Sequence, residues 1–581
     1  MASSPSATDT KLGKPKLHGR AFYDSIGSPK FVLAPMVDQS EFAWRMLTRS
    51  FLTPAENAKL LAYTPMLHAR LYEETIKYRN SHFEPIQPPT DSKSPSPAPS
   101  PSDLEQSQPV PFLDGNPAFD RPLFVQFCAN DPERLLGAAK LVAPYCDAVD
   151  LNLGCPQGIA RRGHYGAFLQ DDQELVYNLI NNLHKNLSVP VTAKIRILDT
   201  KEETLAYAKN VLAAGASIIT VHGRRREQKG HITGVADWEY LRYLRENLPK
   251  DTVIFANGNV LQHDDIEQCL EATGADAVMS AEGNLSDPAI FAKLPPPGQE
   301  GREYWRGKDG KGGYRIDAVF RRYMDIIHKH VLRHDPPVRR PLFVVGDDES
   351  FIAEGRARDA EQEEPARKKR RKDGGGKNEK CTSPNLLAMR PHLFHLLRHF
   401  ISKHTDVRDL LAKCHAGDVS TIEKILEVVE RHVAEGLIEY EKTGDKSIEE
   451  PEPKPKPIPE SQIEGKLAVE SENTEDPESS VATVKKCKRP FWIAQPIVRP
   501  LPKEALANGS ITLKKKELDK QEAPEALKAK VEVDKDVADG QKTNGRRPEE
   551  ELPKPDGVES TKEPGMDPKK PALTADELIC G

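Results

Sequence analysis

Short apolar runs rich in β-branched residues recur through the first half of the chain: Phe31–Pro35, Leu61–Pro65, Pro122–Phe127, Ala148–Leu153, Val189–Ile197, Ser217–His222, Val253–Asn257 and Ala277–Ala281. Each has the length of a strand and ends in turn or polar residues. Between most of them lie segments with helical spacing of apolar positions, such as Pro132–Tyr145, Glu202–Ala214, Trp238–Asn247 and His263–Thr273. Strand then helix, repeated eight times within about 250 residues, is the plan of a closed (β/α)₈ barrel, the TIM barrel. The alternative, a doubly wound open sheet, is weakened because polar and reactive residues follow the carboxyl end of nearly every run. That is the rim where barrel sites are built.

Elsewhere the pattern changes. Residues 1–28 read as a flexible amino terminus and 29–300 as the barrel. Within it, 81–120 contains SPSPAPSPSDLEQSQPVP, which neither continues a helix nor buries apolar area, and is expected to be an exposed, disordered insertion. Beyond about residue 315 the spacing is purely helical, Tyr314–His334 and then Pro391–Tyr440, predicting a small all-helical domain over 314–440 with a charged, Gly-rich disordered loop at 346–384. From 441 to 581 the text is rich in Pro, Glu and Lys and reads as a largely disordered tail. Within it the island 490–500, PFWIAQPIVRP, can either dock on the folded body or bind a partner.

Composition agrees with a folded body carrying tails. A chain of 581 residues with 49 prolines, 30% charged and 37% hydrophobic residues is too long for one ordinary domain and too polar to fold throughout. The eight cysteines form no CxxC pair and no even framework, so neither a zinc site nor a disulfide scaffold is expected, and a reducing compartment fits best. The amino terminus has no apolar core of signal-peptide length and no segment is apolar enough to span a membrane, so the expectation is a soluble, intracellular protein. The formal charge of -6 sums a Glu-rich tail with Arg- and Lys-dense segments, and decides nothing about nucleic acid.

The strand ends deliver Pro35-Met36-Val37, Gln126, Asn152 with Gly154-Cys155-Pro156, Lys194 with Arg196, His222-Gly223-Arg224, Asn257-Gly258-Asn259 and Ala281-Glu282-Gly283 to one rim. Hydrogen-bonding side chains, two cations and Gly-containing turns suit a planar heteroaromatic cofactor with a phosphate, which describes FMN. Gln126 can donate and accept along the edge of an isoalloxazine ring. A lone strand-end lysine is more often solvated, but Lys194 stands among matched strand ends and can stabilise negative charge on a reduced flavin. Cys155, fixed in a Gly-Cys-Pro turn, is expected to face the rim as a general acid, whereas Cys128, Cys146 and Cys269 fall inside strand or helix text and read as buried and inert. Arg161 and Arg162, followed by His164, Tyr165 and Phe168, combine phosphate-pairing guanidiniums with stacking rings, a chemistry for an extruded nucleotide. Arg224, Arg225 and Arg226 with Lys229 extend a basic edge around the mouth; a merely solvated face is the plain reading of that run.

The segment LNLGCPQGIARRGHYGAFL, with LAPMVDQSEFAWR, VQFCANDPE, AKIRI, TVHGRRREQKG and ANGNV in order and spacing, resembles the tRNA-dihydrouridine synthase family over roughly residues 30 to 290. APMVDQSE, and an AEG turn in place of a GR-type turn, look most like the eukaryotic branch that modifies positions 16 and 17 of the tRNA D-loop. The resemblance implies contact with FMN by Pro35, Met36, Val37, Gln126, Lys194, His222, Asn257, Gly258, Asn259, Ala281 and Glu282. It implies Cys155 as proton donor to carbon 5 of uridine, hydride from the flavin to carbon 6, and NADPH, with NADH as the alternative, as reductant. Substrate contacts are expected from Asn152, Arg161, Arg162, Arg196 and Arg224, with no metal. The helical region resembles the family's tRNA-gripping domain, and its long charged loop departs from the compact form. A basic run at 367–372 reads as a nuclear-import signal, an added phosphate patch or a plain linker, so nucleus or cytoplasm is the expected location, and a monomer the expected state. The rival readings are an FMN barrel acting on a small molecule such as dihydroorotate, which has no need of the Arg-rich loop, and a non-catalytic tRNA-binding protein, which has no need of the intact Cys, Lys, Gln and His positions.

Overall fold

Eight parallel strands close on themselves: β1 (Phe31–Leu33), β2 (Leu60–Tyr63), β3 (Leu123–Cys128), β4 (Ala148–Leu153), β5 (Val191–Arg196), β6 (Ile218–His222), β7 (Val253–Asn257) and β8 (Ala277–Ser280). The computed structural model describes residues 16–88, 110–230, 233–363, 381–444, 479–501 and 504. Closure is made at β1, where Val32 stands opposite both Leu61 of β2 and Met279 of β8. A two-residue strand, Leu67–His68, prolongs the line of β2 and pairs with the far end of β3. Helices return the chain between strands from capped starts: Asp131, Asp172, Thr200 and Asp237 accept backbone N–H bonds from the first turns of the helices that follow them. An antiparallel hairpin, β9 (Tyr304–Arg306) with β10 (Gly312–Tyr314), then leads to the helical region.

The helical region comprises Ile316–Ile326, continued by a π-helical turn at Ile327–Leu332, then Pro384–Leu396, Arg398–Lys403, Thr405–Lys413 and Val419–Thr443. Its core is continuous with that of the barrel. The Ala43 N–H donates to Asn385 Oδ1 at 2.9 Å, His392 Nε2 meets Glu41 at 2.9 Å, and the His392 ring stacks on Trp44 with centroids 3.9 Å apart. A histidine–carboxylate pair sealed under an indole is costly unless its geometry is good, so it fixes how the helices sit on the barrel.

Four expectations need correction. The amino terminus is ordered from Lys16: helix Gly19–Ser25 buries Phe22 and Tyr23 beneath the barrel, where Phe22 stacks on Phe124 and Tyr23 donates to Pro29 O at 2.9 Å. Those apolar rings close the amino-terminal mouth. The flanks of the 81–120 insertion fold as well, through an Ile86–Pro111 bridge and through Asp114 and Asp120, which hold the fully buried Arg45 at 2.7 and 2.5 Å; 89–109 lie outside the described residues. Within 346–384, helix Ser350–Glu363 packs through Ile352, and its Arg356 pairs with Glu435 of Val419–Thr443. The basic run 367–372 is outside the described residues. In the tail, Ser480–Cys487 is helical, ahead of the island; the island itself takes the docked one of its two expected fates, burying Trp492, Ile493 and Ala494. Among the described residues no helix is long and apolar enough to cross a membrane.

Candidate active site

Alternation along the strands turns a polar face into the barrel at its carboxyl end. In β4 the outward Val149, Leu151 and Leu153 leave Asp150 and Asn152 together, and in β5 Thr192, Lys194 and Arg196 share the matching side; the register sets Gln126 opposite Asp150, Asp150 opposite Thr192 and Asn152 opposite Lys194. All of these polar residues are buried. A chain of hydrogen bonds links them. Thr192 Oγ1 donates to Asp150 Oδ1 at 2.6 Å, Gln126 Nε2 to Asp150 Oδ2 at 2.8 Å, and Asn152 Nδ2 to Gln126 Oε1 at 2.8 Å. Asn152 Oδ1 then accepts the N–H groups of Gly154 and Cys155 at 3.2 and 2.9 Å. Burial pushes the Asp150 carboxyl up to about 6, against the bonds from Thr192 and Gln126 and the charge of Lys194.

The Gly154–Pro156 turn is gripped from outside too. Arg196 Nε donates to Gly154 O at 2.6 Å, Lys229 Nζ to Pro156 O at 2.8 Å, and the Ala167 N–H to Cys155 O at 3.0 Å. Gly166 has φ +67°, and a Cβ there would sit 2.7 Å from the Cys155 carbonyl oxygen, so only glycine lets the loop close over the turn. Cys155 is 1% exposed, packed with Cys128, Ala160 and Tyr165 and flanked by Val37, Met66 and Phe168. The cysteine expected to face the rim is therefore buried among apolar and aromatic side chains. Cys128, expected to be inert, is its neighbour; burial and the nearness of Cys155 push its thiol well up.

On the opposite arc, His222 and Asn257 are register partners at the ends of β6 and β7. Arg224 Nη1 lies 3.1 Å from His222 Nε2, while Nη2 donates to Asn259 Oδ1 at 2.8 Å. Burial first, then the charges of Arg196, Lys194 and Arg224, hold the His222 ring well below its ordinary pKa, hence neutral. With Nε2 facing a guanidinium, its proton belongs on Nδ1, which is buried without a partner, as is Asn257 Oδ1. Leaving such atoms unpaired costs about 1–3 kcal/mol each. A donor and an acceptor side by side on one rim fit a hydrogen-bonding heterocycle. Gly258, at φ +113° with a would-be Cβ 2.6 Å from Ala236 Cβ, and Gly283, whose Cβ would meet Val260 O at 2.3 Å, let the two neighbouring turns come close.

Several expected roles shift. Asn152 is committed to the protein interior, because both ends of its amide are bonded to Gln126 and the cysteine turn. Arg196 clasps Gly154 and Arg225 O, and Arg224 sits with His222 and Asn259 rather than on the nucleotide loop. Arg225 pairs with Asp199 at 3.7 Å, and Arg226 with Asp171 and Glu227 at 2.6 and 2.9 Å, so this part of the basic edge is largely neutralised. Arg161 and Arg162 stand exposed on the short helix Gly158–Gly163. Met36 is buried after β1, its N–H bonded to Ser40 Oγ at 3.0 Å. Sequence reasoning missed Asp150 and Thr192, although an acidic residue two positions before Asn152 in a buried strand was a usable signal. It also missed Arg499, which reaches the rim from the tail.

The family model for dihydrouridine synthase (Dus) matches residues 32–304. A Saccharomyces cerevisiae tRNA-dihydrouridine(16/17) synthase [NAD(P)(+)] is 42% identical over 486 residues, 84% of this chain and 87% of that protein. The chain belongs to the dihydrouridine synthase family. Another member, the tRNA-dihydrouridine(16/17) synthase [NAD(P)(+)] of Schizosaccharomyces pombe, is 40% identical over 76% of this chain and 87% of its own length. A mouse tRNA-dihydrouridine(16/17) synthase [NAD(P)(+)]-like protein is 44% identical over 48% of this chain and 52% of its own length. The first of these alignments is much longer than the 32–304 match, so kinship with dihydrouridine synthases extends past the barrel.

Proposed function

We propose that the chain is an FMN-dependent tRNA-dihydrouridine synthase that uses NADPH, with NADH as the alternative, to saturate the 5,6 double bond of uridines 16 and 17 in the tRNA D-loop. The observation that carries this reading is the two-bond link from Gln126 through Asn152 to the backbone of Cys155, which ties a flavin-edge residue to a proton donor's turn. FMN, when bound, takes reducing equivalents from the nicotinamide and supplies the hydride that adds at carbon 6 of the uracil.

The chain's own residues do the rest. Cys155 Sγ gives its proton to carbon 5, completing the saturated bond, and regains one from solvent. The unpaired Nδ1 of His222 and Oδ1 of Asn257 orient the heterocycle, and Gln126, its amide bonded at each end to Asp150 and Asn152, has a second N–H and a second lone pair to offer the ring edge; Lys194 places a buried positive charge where negative charge develops. Pro35, Met36 and Val37 wall the ring, and the turns at Asn257, Gly258, Asn259, Ala281 and Glu282 take the phosphate, with Arg224 beside them. Arg161 and Arg162 meet the tRNA backbone, and the helical region gives a second surface for the tRNA body. The protein works as a monomer, in the nucleus or cytoplasm.

The test is incubation with NADPH and tRNA lacking dihydrouridine, with the base quantified by mass spectrometry beside Cys155→Ala. Dihydrouridine at positions 16 and 17, reduced at least a hundredfold in a mutant that still binds flavin, is expected. Flavin reduced by dihydroorotate, or reoxidised by orotate, but never reoxidised by tRNA would transfer the reading to a small-molecule oxidoreductase.

A further inference from the structure

The tail does not end where its apolar island docks. Lys486 Nζ lies 3.3 Å from Asp265 and Cys487 Sγ 3.6 Å from Gln262, on the barrel. The chain then lies against the hairpin and the helical region: the Ile316 N–H donates to Trp492 O and the Ala494 N–H to Tyr314 O, both at 2.9 Å, while Trp492 fits against Gly436 and is fully buried. His399 Nε2 meets Pro496 O at 3.1 Å. The strap finally returns to the barrel rim, where Arg499 Nη2 pairs with Glu282 Oε1 at 2.5 Å and Nη1 donates to Gly230 O at 3.3 Å. Anchors at 492–494 and 496, with Pro500 favouring extended backbone at residue 499, aim this guanidinium at one place.

Among the described residues, that place has more positive charge than its neighbours compensate. Arg224 bonds only neutral acceptors, Gly234 O and Asn259 Oδ1, and meets the neutral His222; it has no ion pair among the described residues. Among the described residues Arg499 has a single carboxylate, Glu282. Glu282 acts on Arg224 only through space: burial, the largest effect, pushes Arg224 down to about 10 against the charge of Glu282, and Arg196 and then Arg499 add to the fall. Arg224 bonds Asn259, next to Gly258, and Arg499 bonds Glu282, next to Gly283, so the two cations stand at neighbouring turns. Two cations with one carboxylate near both make a site for a dianion.

We infer that Arg499, delivered by the docked tail, binds the phosphate of the flavin together with Arg224, so that the tail is part of the cofactor site. This rests on the flavin reading above. Glu282 positions Arg499, and the guanidinium keeps N–H donors for a phosphate oxygen while remaining paired.

Riboflavin has the same ring and no phosphate, so it separates the inference from a structural role. Dissociation constants for FMN and for riboflavin are measured by flavin fluorescence on the full-length apoprotein, for wild type, Arg499→Ala and Arg499→Lys. Arg499→Ala should weaken FMN about tenfold to a hundredfold and leave riboflavin within about twofold, with Arg499→Lys recovering part of the loss. Unchanged FMN affinity in Arg499→Ala, or an equal loss for both flavins, overturns the inference while leaving the flavin reading intact. A wild-type protein that binds neither flavin overturns both.

Discussion

Asn152 uses one end of its amide to hold the backbone of Cys155 and the other to hold Gln126. Truncating it leaves two buried N–H groups and a side-chain carbonyl short of partners, at about 1–3 kcal/mol each, and frees the turn to relax. Asn152→Ala is therefore expected to bind flavin but to reduce uridine about tenfold to a hundredfold more slowly, because small misplacement of a proton donor is expensive. Stopped-flow reoxidation of the reduced enzyme by tRNA measures this, and an unchanged rate would show that the clamp does not position the thiol. At this scale the sequence is a good guide wherever a residue stands at a strand end. Asn152, Cys155, Lys194 and His222 are all there, since the βα turn fixes their height in the barrel, while Gln126 stands one layer deeper, level with Asp150. It is a poor guide to Asp150 and Thr192, set deeper in their strands, and to which partner Arg196 or Arg224 takes, because a guanidinium reaches several acceptors and only the packed loops choose among them.

Among the elements, the turn at His404 and the long helix Val419–Thr443 meet through stacked imidazoles, His404 on His432, with centroids 4.2 Å apart. Burial lowers His432, but its bonds to Asp406 and Glu435 outweigh that and hold it at about 9; burial and then the charge of His432 take His404 to about 4. The unfolded value for both is about 6.5. The His432 contribution is complete below that value and is lost as pH rises through 9. For His404 the unfolded chain takes up its proton first, so stability is lost as pH falls from 6.5 to 4. The helical region should be most stable near pH 6.5, with each limb worth on the order of 1 kcal/mol once solvent screening of this partly exposed pair is allowed for. Thermal unfolding over roughly pH 5 to 9 should show His432→Gln flattening the alkaline limb and softening the acid one, since its charge helps lower His404, and His404→Phe flattening the acid limb alone. Parallel curves for both variants would place the pH dependence elsewhere. The same scale shows why strands were easier to read than tails. A strand buried on both faces needs a continuous apolar run, whereas Phe22-Tyr23 and the Phe491-Trp492-Ile493 segment are too short to carry a period, and only a waiting groove makes them structural.

For the whole molecule, the two half-reactions should separate. Arg161 and Arg162 are exposed, apart from the buried residues proposed to hold the flavin, so the double change Arg161→Ala/Arg162→Ala should leave NADPH-driven flavin reduction unaltered and raise KM for tRNA several-fold. If each neutralises one phosphate, the slope of log affinity against log salt should become shallower by roughly 1.5. A salt slope equal to wild type would remove both residues from the RNA interface. By itself the sequence determined the closed barrel, its polar rim, the cysteine turn and the helical region, because these follow from local periodicity and from residues fixed at strand ends. Only the tertiary structure decided that helix Gly19–Ser25 plugs the barrel, that Arg45 is sealed between the flanks of the insertion, that Cys155 is buried in an apolar cluster, and that a residue more than 200 positions beyond the last barrel strand reaches Glu282. Each of these is a contact between segments distant along the chain, made because buried apolar area and paired charge outweigh the entropy of closing long loops, and no local pattern records that balance.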